Sequence, residues 1–299
     1  MKTRIITALI AIAGIFPFFW FSAPVKTSLA LNYLFPAMIA IVAFVSIYEL
    51  LRCVGFDKNY VLAVPLYLAA LFFPIFARAQ YRNMQHSDYE TLIRAGVLAI
   101  LAFGVYFFSV LVFTYGKAES NEEEQRKSGR IALVYMTSVY IIGAYTAIIV
   151  LRDTNPRIAG RFVYLIPFLF AWVTDTFAYF TGRLFGKHKL IPAVSPKKTV
   201  EGAIGGAVCC ALVAVLYGFL TNLWFDARPN YIVLAIAGLV IAVVSQVGDL
   251  AMSAIKRQYG IKDYGKLLPG HGGLLDRFDS CMAVAVVVAL INAYFPFFG

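Results

Sequence analysis

Residues 231–251 read YIVLAIAGLVIAVVSQVGDLA, with one charged side chain, Asp249. A helix of about 20 apolar residues satisfies its own backbone and crosses the hydrocarbon of a bilayer. This stretch therefore predicts a membrane span. Working outward, further apolar stretches follow at about 5–22, 31–51, 61–77, 95–115, 131–151, 163–180, 203–221 and 281–298. The expected fold class is all-α, a polytopic integral membrane protein of about nine transmembrane helices. Residues 1–299 then form a single membrane domain, with N-terminal helices over 1–151 and C-terminal helices with cytoplasmic loops over 163–299.

Composition agrees. Of 299 residues, 61% are hydrophobic and 14% charged, against roughly one quarter charged in a soluble domain. At about 20 residues per span, nine spans use roughly 180 residues, which excludes a large soluble domain. Cys53, Cys209, Cys210 and Cys281 show no C-x-x-C spacing, and His86, His188 and His271 are far apart, so neither a disulfide framework nor a His/Cys metal centre is indicated. A metal here should be bound by oxygen.

The formal charge of +10 fits loops facing anionic lipid better than nucleic acid, because the aromatic residues lie within or at the ends of the spans. The first span is read as retained, since Pro24 and Lys26 separate its apolar core from a cleavage-like Ser28-Leu29-Ala30. A cytoplasmic N-terminus places 18 of the 26 Lys and Arg residues inside, as the positive-inside rule requires. The mixed-charge segment holding Glu119, Glu122, Glu123, Glu124, Arg126, Lys127 and Arg130 reads as a solvated turn. Lacking a long N-terminal extension, the chain fits a bacterial plasma (inner) membrane.

Ionisable groups inside spans are functional candidates. Glu49 lies near the cytoplasmic end of its span, where its carboxylate is expected to snorkel to water. Ser245, Asp249 and Ser253 share one helical face at i, i+4, i+8; Asp249 reads either as a functional group or as a partner of Lys256 or Arg257. Asp175 sits at similar depth, either functional or ion-paired to a neighbouring helix. Two carboxylates near one membrane face suit a hard cation such as Mg²⁺, which takes oxygen ligands and keeps water and phosphate in its shell.

Two cytoplasmic segments add charge. Residues 267–279 carry Gly270, His271, Gly272 and Gly273, whose backbone could present N–H groups to an anion or could form a mere turn. Asp276 and Asp279 follow at i, i+3 with Arg277 beside them, so a helix beginning near Leu274 puts both carboxylates on one face, unless either caps that helix. His271 reads as a phosphate contact, since phosphate-group transfer needs positioning and charge more than a base. Residues 195–202 set Lys197 and Lys198 between Ser195 and Thr199, a pattern able to hold polyphosphate. Gly202 and Gly206 are spaced for close helix packing.

The run from Ser253-Ala254-Ile255-Lys256-Arg257 through Lys262-Asp263 and Gly265 to Leu268-Pro269-Gly270-His271-Gly272-Gly273-Leu274-Leu275-Asp276-Arg277-Phe278-Asp279 resembles the signature of phosphatidate cytidylyltransferases, also called CDP-diacylglycerol synthases. The likeness extends to residues 195–202, to the Asp175 segment and to the polytopic layout. It implies transfer of a cytidylyl group from CTP to phosphatidic acid, giving CDP-diacylglycerol and pyrophosphate at the cytoplasmic face with Mg²⁺ and, in one version, a second cation. It also implies a homodimer whose partners are CTP, phosphatidic acid and membrane lipids. On that resemblance Asp249, Asp276, Lys256 and Arg277 carry catalysis. Asp249 and Asp276 hold metal, with Asp279 and Asp175 beside it or at a second cation. Ser195, Lys197, Lys198, Thr199, Glu201, Ser253, Arg257, Lys262, His271, Gly272 and Gly273 bind substrate.

Two rivals share some features. A cation-coupled transporter would also use Asp175 and Asp249, but no inverted repeat is visible and the polar residues gather toward one face. A CTP-dependent polyprenol kinase would share the basic loops, and differs in releasing CDP instead of pyrophosphate.

Overall fold

The computed structural model describes residues 29–83, 105, 109–110, 121–153, 163–268 and 272–299. Among them are seven helices: α1 (Leu29–Val54), α2 (Tyr60–Asn83), α3 (Asn121–Asp153), α4 (Ile166–Phe185), α5 (Val200–Phe225), α6 (Tyr231–Gln258) and α7 (Leu275–Tyr294). All seven contain a stretch long and apolar enough to cross a membrane. The expected spans at 5–22 and, for the most part, 95–115 lie outside the described residues. Between α4 and α5, β1 (Lys189–Ile191) and β2 (Ser195–Thr199) pair as an antiparallel hairpin. The fold is thus an all-α bundle with one two-stranded insertion, where the sequence reading expected only a loop.

Helix α7 is the hub. It packs against α3, α4 and α6 and touches α1, and it buries Leu275, Cys281, Met282, Val284, Ala285 and Val288. Helices α1–α3 form one side of the bundle and α4–α6 the other. Outward faces stay apolar, as a lipid-facing surface must. On α5, Ile204, Val208, Leu212 and Leu216 recur every fourth residue and are all exposed.

Small residues bring α4 and α5 together. A Cβ at Gly202 would lie 2.6 Å from the Ala178 carbonyl oxygen, and one at Gly206 would lie 2.9 Å from that of Thr174. The G-x-x-x-G pair therefore marks helix packing, as its spacing predicted. Thr199 caps α5 by accepting the Gly202 N–H at 3.1 Å, and Asn230 caps α6 by accepting that of Val233 at 3.2 Å.

Helix ends depart from the apolar windows. Helix α3 starts at Asn121, so most of the mixed-charge segment expected to be a turn is helical, and α6 runs on through Lys256 to Gln258. Hydropathy locates the part of a helix in hydrocarbon, whereas charged turns continue it beyond. The last helix is displaced from the expected 281–298: it begins at Leu275 and stops at Tyr294, because Asp276 and Asp279 are buried with partners and Pro296 cannot continue a helix. Phe297 and Phe298 then fold back, with the Asn230 N–H donating to the Phe297 carbonyl at 2.8 Å.

Candidate active site

The polar residues gather at the end of the bundle where α1, α4 and α6 finish and α5 and α7 begin. Helix α6 contributes Asp249 and Lys256, nearly two turns apart. Lys198, on β2, reaches Asp249: its Nζ lies 2.5 Å from Oδ2 without an aligned hydrogen bond, both side chains about one quarter exposed. Ser253 donates to Asp249 Oδ1 at 3.4 Å, while Ser245, on the same face, is buried without a hydrogen-bond partner among the described residues. The partner of Asp249 is thus Lys198 and not Lys256 or Arg257, a pairing between distant segments that helical spacing could not reveal.

Lys256 turns instead to the start of α7. Its Nζ donates to Asp276 Oδ1 at 2.8 Å and lies 3.9 Å from Asp279 Oδ2. The other Asp276 oxygen accepts the N–H groups of Tyr264 at 2.8 Å and Gly273 at 3.0 Å. Both Asp276 oxygens are therefore engaged within the chain. Tyr264 also donates its hydroxyl to the Met252 carbonyl at 2.9 Å. Burial, helped by Cys53, Asp276 and Asp279, raises the pKa of this phenol, so Tyr264 is a neutral donor that pins the loop after α6.

Asp279 accepts the Ser280 N–H at 2.8 Å, and the Ser280 hydroxyl donates to Asp175 on α4 at 3.3 Å. The Tyr140 hydroxyl, from α3, donates to the Asp279 carbonyl at 3.5 Å. Asp175, Asp249 and Asp279 lie close enough to interact as charges, with Lys198 and Lys256 beside them. Three carboxylates from three helices thus lie near one another and near two lysines.

Other expected site residues have different surroundings. Thr199 is the α5 cap. Glu201 accepts the His188 backbone N–H at 3.2 Å and meets its Nδ1 at 2.6 Å, closing the hairpin onto α5. Arg257 donates to the carbonyls of Ile261 at 3.0 Å and Val194 at 3.4 Å, tying the hairpin turn to the end of α6. Lys197, Lys262 and Arg277 are exposed, and Ser195 is half-buried in the hairpin. Gly272 adopts φ +85° and pairs with Leu268; His271 lies outside the described residues.

Glu49 corrects an expectation. It does not snorkel to water but is 4% exposed, and its carboxylate accepts the N–H groups of Leu274 at 3.0 Å and Leu275 at 2.8 Å. The signal in the sequence was a carboxylate in an apolar span; its partners lie more than two hundred residues away. Tyr140, Tyr264 and Ser280 carried no such signal.

Carboxylates and lysines thus alternate at one end of the bundle, drawn from residues 195–202 and 249–279. The sequence pattern described as "Cytidylyltransferase family" matches residues 2–295. The chain belongs to this family. Among cytidylyltransferases it is similar to the phosphatidate cytidylyltransferase of Staphylococcus epidermidis, at 33% identity over 291 residues, covering 97% of this chain and 98% of that one. It is also similar to those of Staphylococcus haemolyticus, 43% identical over 148 residues, and Staphylococcus aureus, 43% identical over 150 residues. Each of these two alignments covers 50% of this chain and 55% of the relative.

Proposed function

We propose that the chain is a phosphatidate cytidylyltransferase, converting CTP and phosphatidic acid to CDP-diacylglycerol and pyrophosphate. The observation that carries this reading is the pairing of Lys198 with Asp249 beside that of Lys256 with Asp276, at one end of a bundle whose family match runs nearly the whole chain. A phosphatidate phosphate oxygen attacks the α-phosphorus of CTP. The new P–O bond forms as the α–β bridge breaks, and pyrophosphate takes the electron pair. The nucleophile is already an anion, so the site needs positive charge more than a base.

Lys198 supplies that charge at the site, the buried Lys256 held by Asp276 adds to it from behind, and Lys197, Lys262 and Arg277 are exposed. The half-buried carboxylates of Asp249 and Asp175, with Asp279, are hard-oxygen donors suited to Mg²⁺, which when bound neutralises phosphate charge. Among the described residues no three His, Cys, Asp or Glu side chains form a ready metal cage. A cation that draws part of its shell from water and substrate phosphates needs none. Asp276, with both oxygens engaged by the chain, holds Lys256 and the loop in place.

The lipid approaches sideways, its acyl chains in hydrocarbon while its headgroup meets CTP from water. The protein is integral to the membrane, and we place it in a bacterial plasma membrane with the site on the cytoplasmic side. The homodimer expected from the resemblance stays within the proposal. The test is detergent-purified protein with Mg²⁺, phosphatidic acid and CTP labelled at the α-phosphorus. Lipid-extractable label matched by pyrophosphate is expected; release of CDP with unlabelled lipid would overturn the reading in favour of a kinase.

A further inference from the structure

The start of α7 has an acceptor problem. The first N–H groups of a helix have no intrahelical partner and carry its positive dipole end. The N-cap of α7 is Leu274, which has no side-chain acceptor. Yet Gly273, Leu274 and Leu275, three successive residues, all donate to carboxylates: the first to Asp276, the other two to Glu49 of α1.

The loop is shaped around that carboxylate. A Cβ at Gly273 would lie 2.5 Å from both Glu49 oxygens, and one at Gly265 would also collide with Oε1. Two glycines on either side of residues 266–272 thus let the backbone close on a side chain from the other half of the chain. One turn back along α1, Ser46 shares a hydrogen bond of 3.0 Å with Tyr145 of α3. The Tyr145 ring meets Phe278 of α7 edge-on at 6.1 Å. Helices α1 and α3 therefore grip α7 at two levels, over the turn that carries Asp276 and Asp279.

The geometry points to Glu49 as a positioning residue for cytidylyl transfer, one that acts through α7. Each residue of helical phase turns a side chain by about 100°, so a shift of one position at Leu274 would take Asp276 off Lys256 and Asp279 away from Asp175 and Asp249. By fixing two backbone N–H groups, Glu49 sets that phase. This assignment rests on the proposed activity for its kinetic consequence, though not for the contact itself.

The experiment compares wild type, E49Q, G273A and the double variant in detergent. E49Q keeps size and one acceptor but loses the charge. Its kcat should fall by roughly 10–100-fold, the usual effect of removing a group that orients site residues, with KM for CTP within about threefold and the protein still folded. G273A drives a methyl group into the same carboxylate and should give a similar loss. The double variant should be no worse than the poorer single one, because both break one contact. Hydrogen exchange at residues 273–276 should accelerate in E49Q, a readout independent of turnover. Unchanged exchange overturns the assignment whether or not wild type transfers a cytidylyl group. So does a kcat within twofold of wild type, or a loss confined to thermal stability. A wild-type protein that is inactive while E49Q exchanges faster overturns the activity reading alone.

Discussion

Two lysine–carboxylate pairs stand at the candidate site, and their exposure separates their roles. Lys256 and Asp276 have side chains only 9% and 3% exposed, whereas Lys198 and Asp249 are both at 24%. Removing one member of a buried pair strands the other and costs about 3–5 kcal/mol; a partly solvated pair contributes up to about 1 kcal/mol. K256M should therefore be strongly destabilised in a detergent unfolding titration, and adding D276N should recover part of the loss, since an amide oxygen still accepts the Tyr264 and Gly273 N–H groups. K198A should change unfolding little yet cut turnover at least 100-fold, because its charge serves the phosphates more than the fold. An active K198A, or an undisturbed K256M, would reverse these roles. Asp249 and Glu49 stood out in sequence because charges in apolar surroundings do. Their pairing did not: Asp249 finds Lys198 on a hairpin, and Glu49 finds backbone N–H groups across the bundle. Such partners depend on tertiary approach and leave no local spacing.

Helices were legible where burial in lipid governs composition, and less so where it stops. Residues 231–251 gave a helix because a continuous apolar run of that length satisfies its backbone in hydrocarbon as a helix, whereas barrel strands are shorter and alternate. The hairpin at 189–199 was missed because Lys189, Lys197 and Lys198 interrupt any alternation, and what closes it is His188 on Glu201 and the Thr199 cap. The hairpin carries Lys198 and leads into α5, which rests on α4 through Gly202 and Gly206, so the α4–α5 spacing sets the distance between Lys198 and Asp175. G206L would force the helices apart at the Thr174 carbonyl. It should cost roughly 1–3 kcal/mol, as overpacking does, and lower activity as well. L212A, on the exposed face of the same helix, should leave activity within about twofold. Equal effects from the two, measured as specific activity of the folded fraction, would mean that this packing does not support the site.

At the scale of the whole molecule the two ends of the bundle are electrically unlike among the described residues. The site end displays Lys187, Lys189, Lys197, Arg257, Lys262, Lys266 and Arg277, all exposed. At the other end Arg78 and Arg152 are turned inward onto Asp153, at 2.8 and 3.8 Å, and Arg152 lies over the Phe35 ring at 5.0 Å. Arg228 is exposed there. Among the described residues, burying positive charge at one end and displaying it at the other strengthens the asymmetry that orients a polytopic chain, and such a display attracts anionic lipid and nucleotide. The site end should therefore face the cytoplasm. A variant with Cys53, Cys209, Cys210 and Cys281 replaced by Ala can carry a single new cysteine, K187C beside the hairpin or R228C at the far end. In intact cells a membrane-impermeant maleimide should label R228C and spare K187C, and permeabilisation should expose K187C. Labelling of K187C in intact cells would invert the topology and place CTP binding on the face where no cytoplasmic nucleotide is supplied.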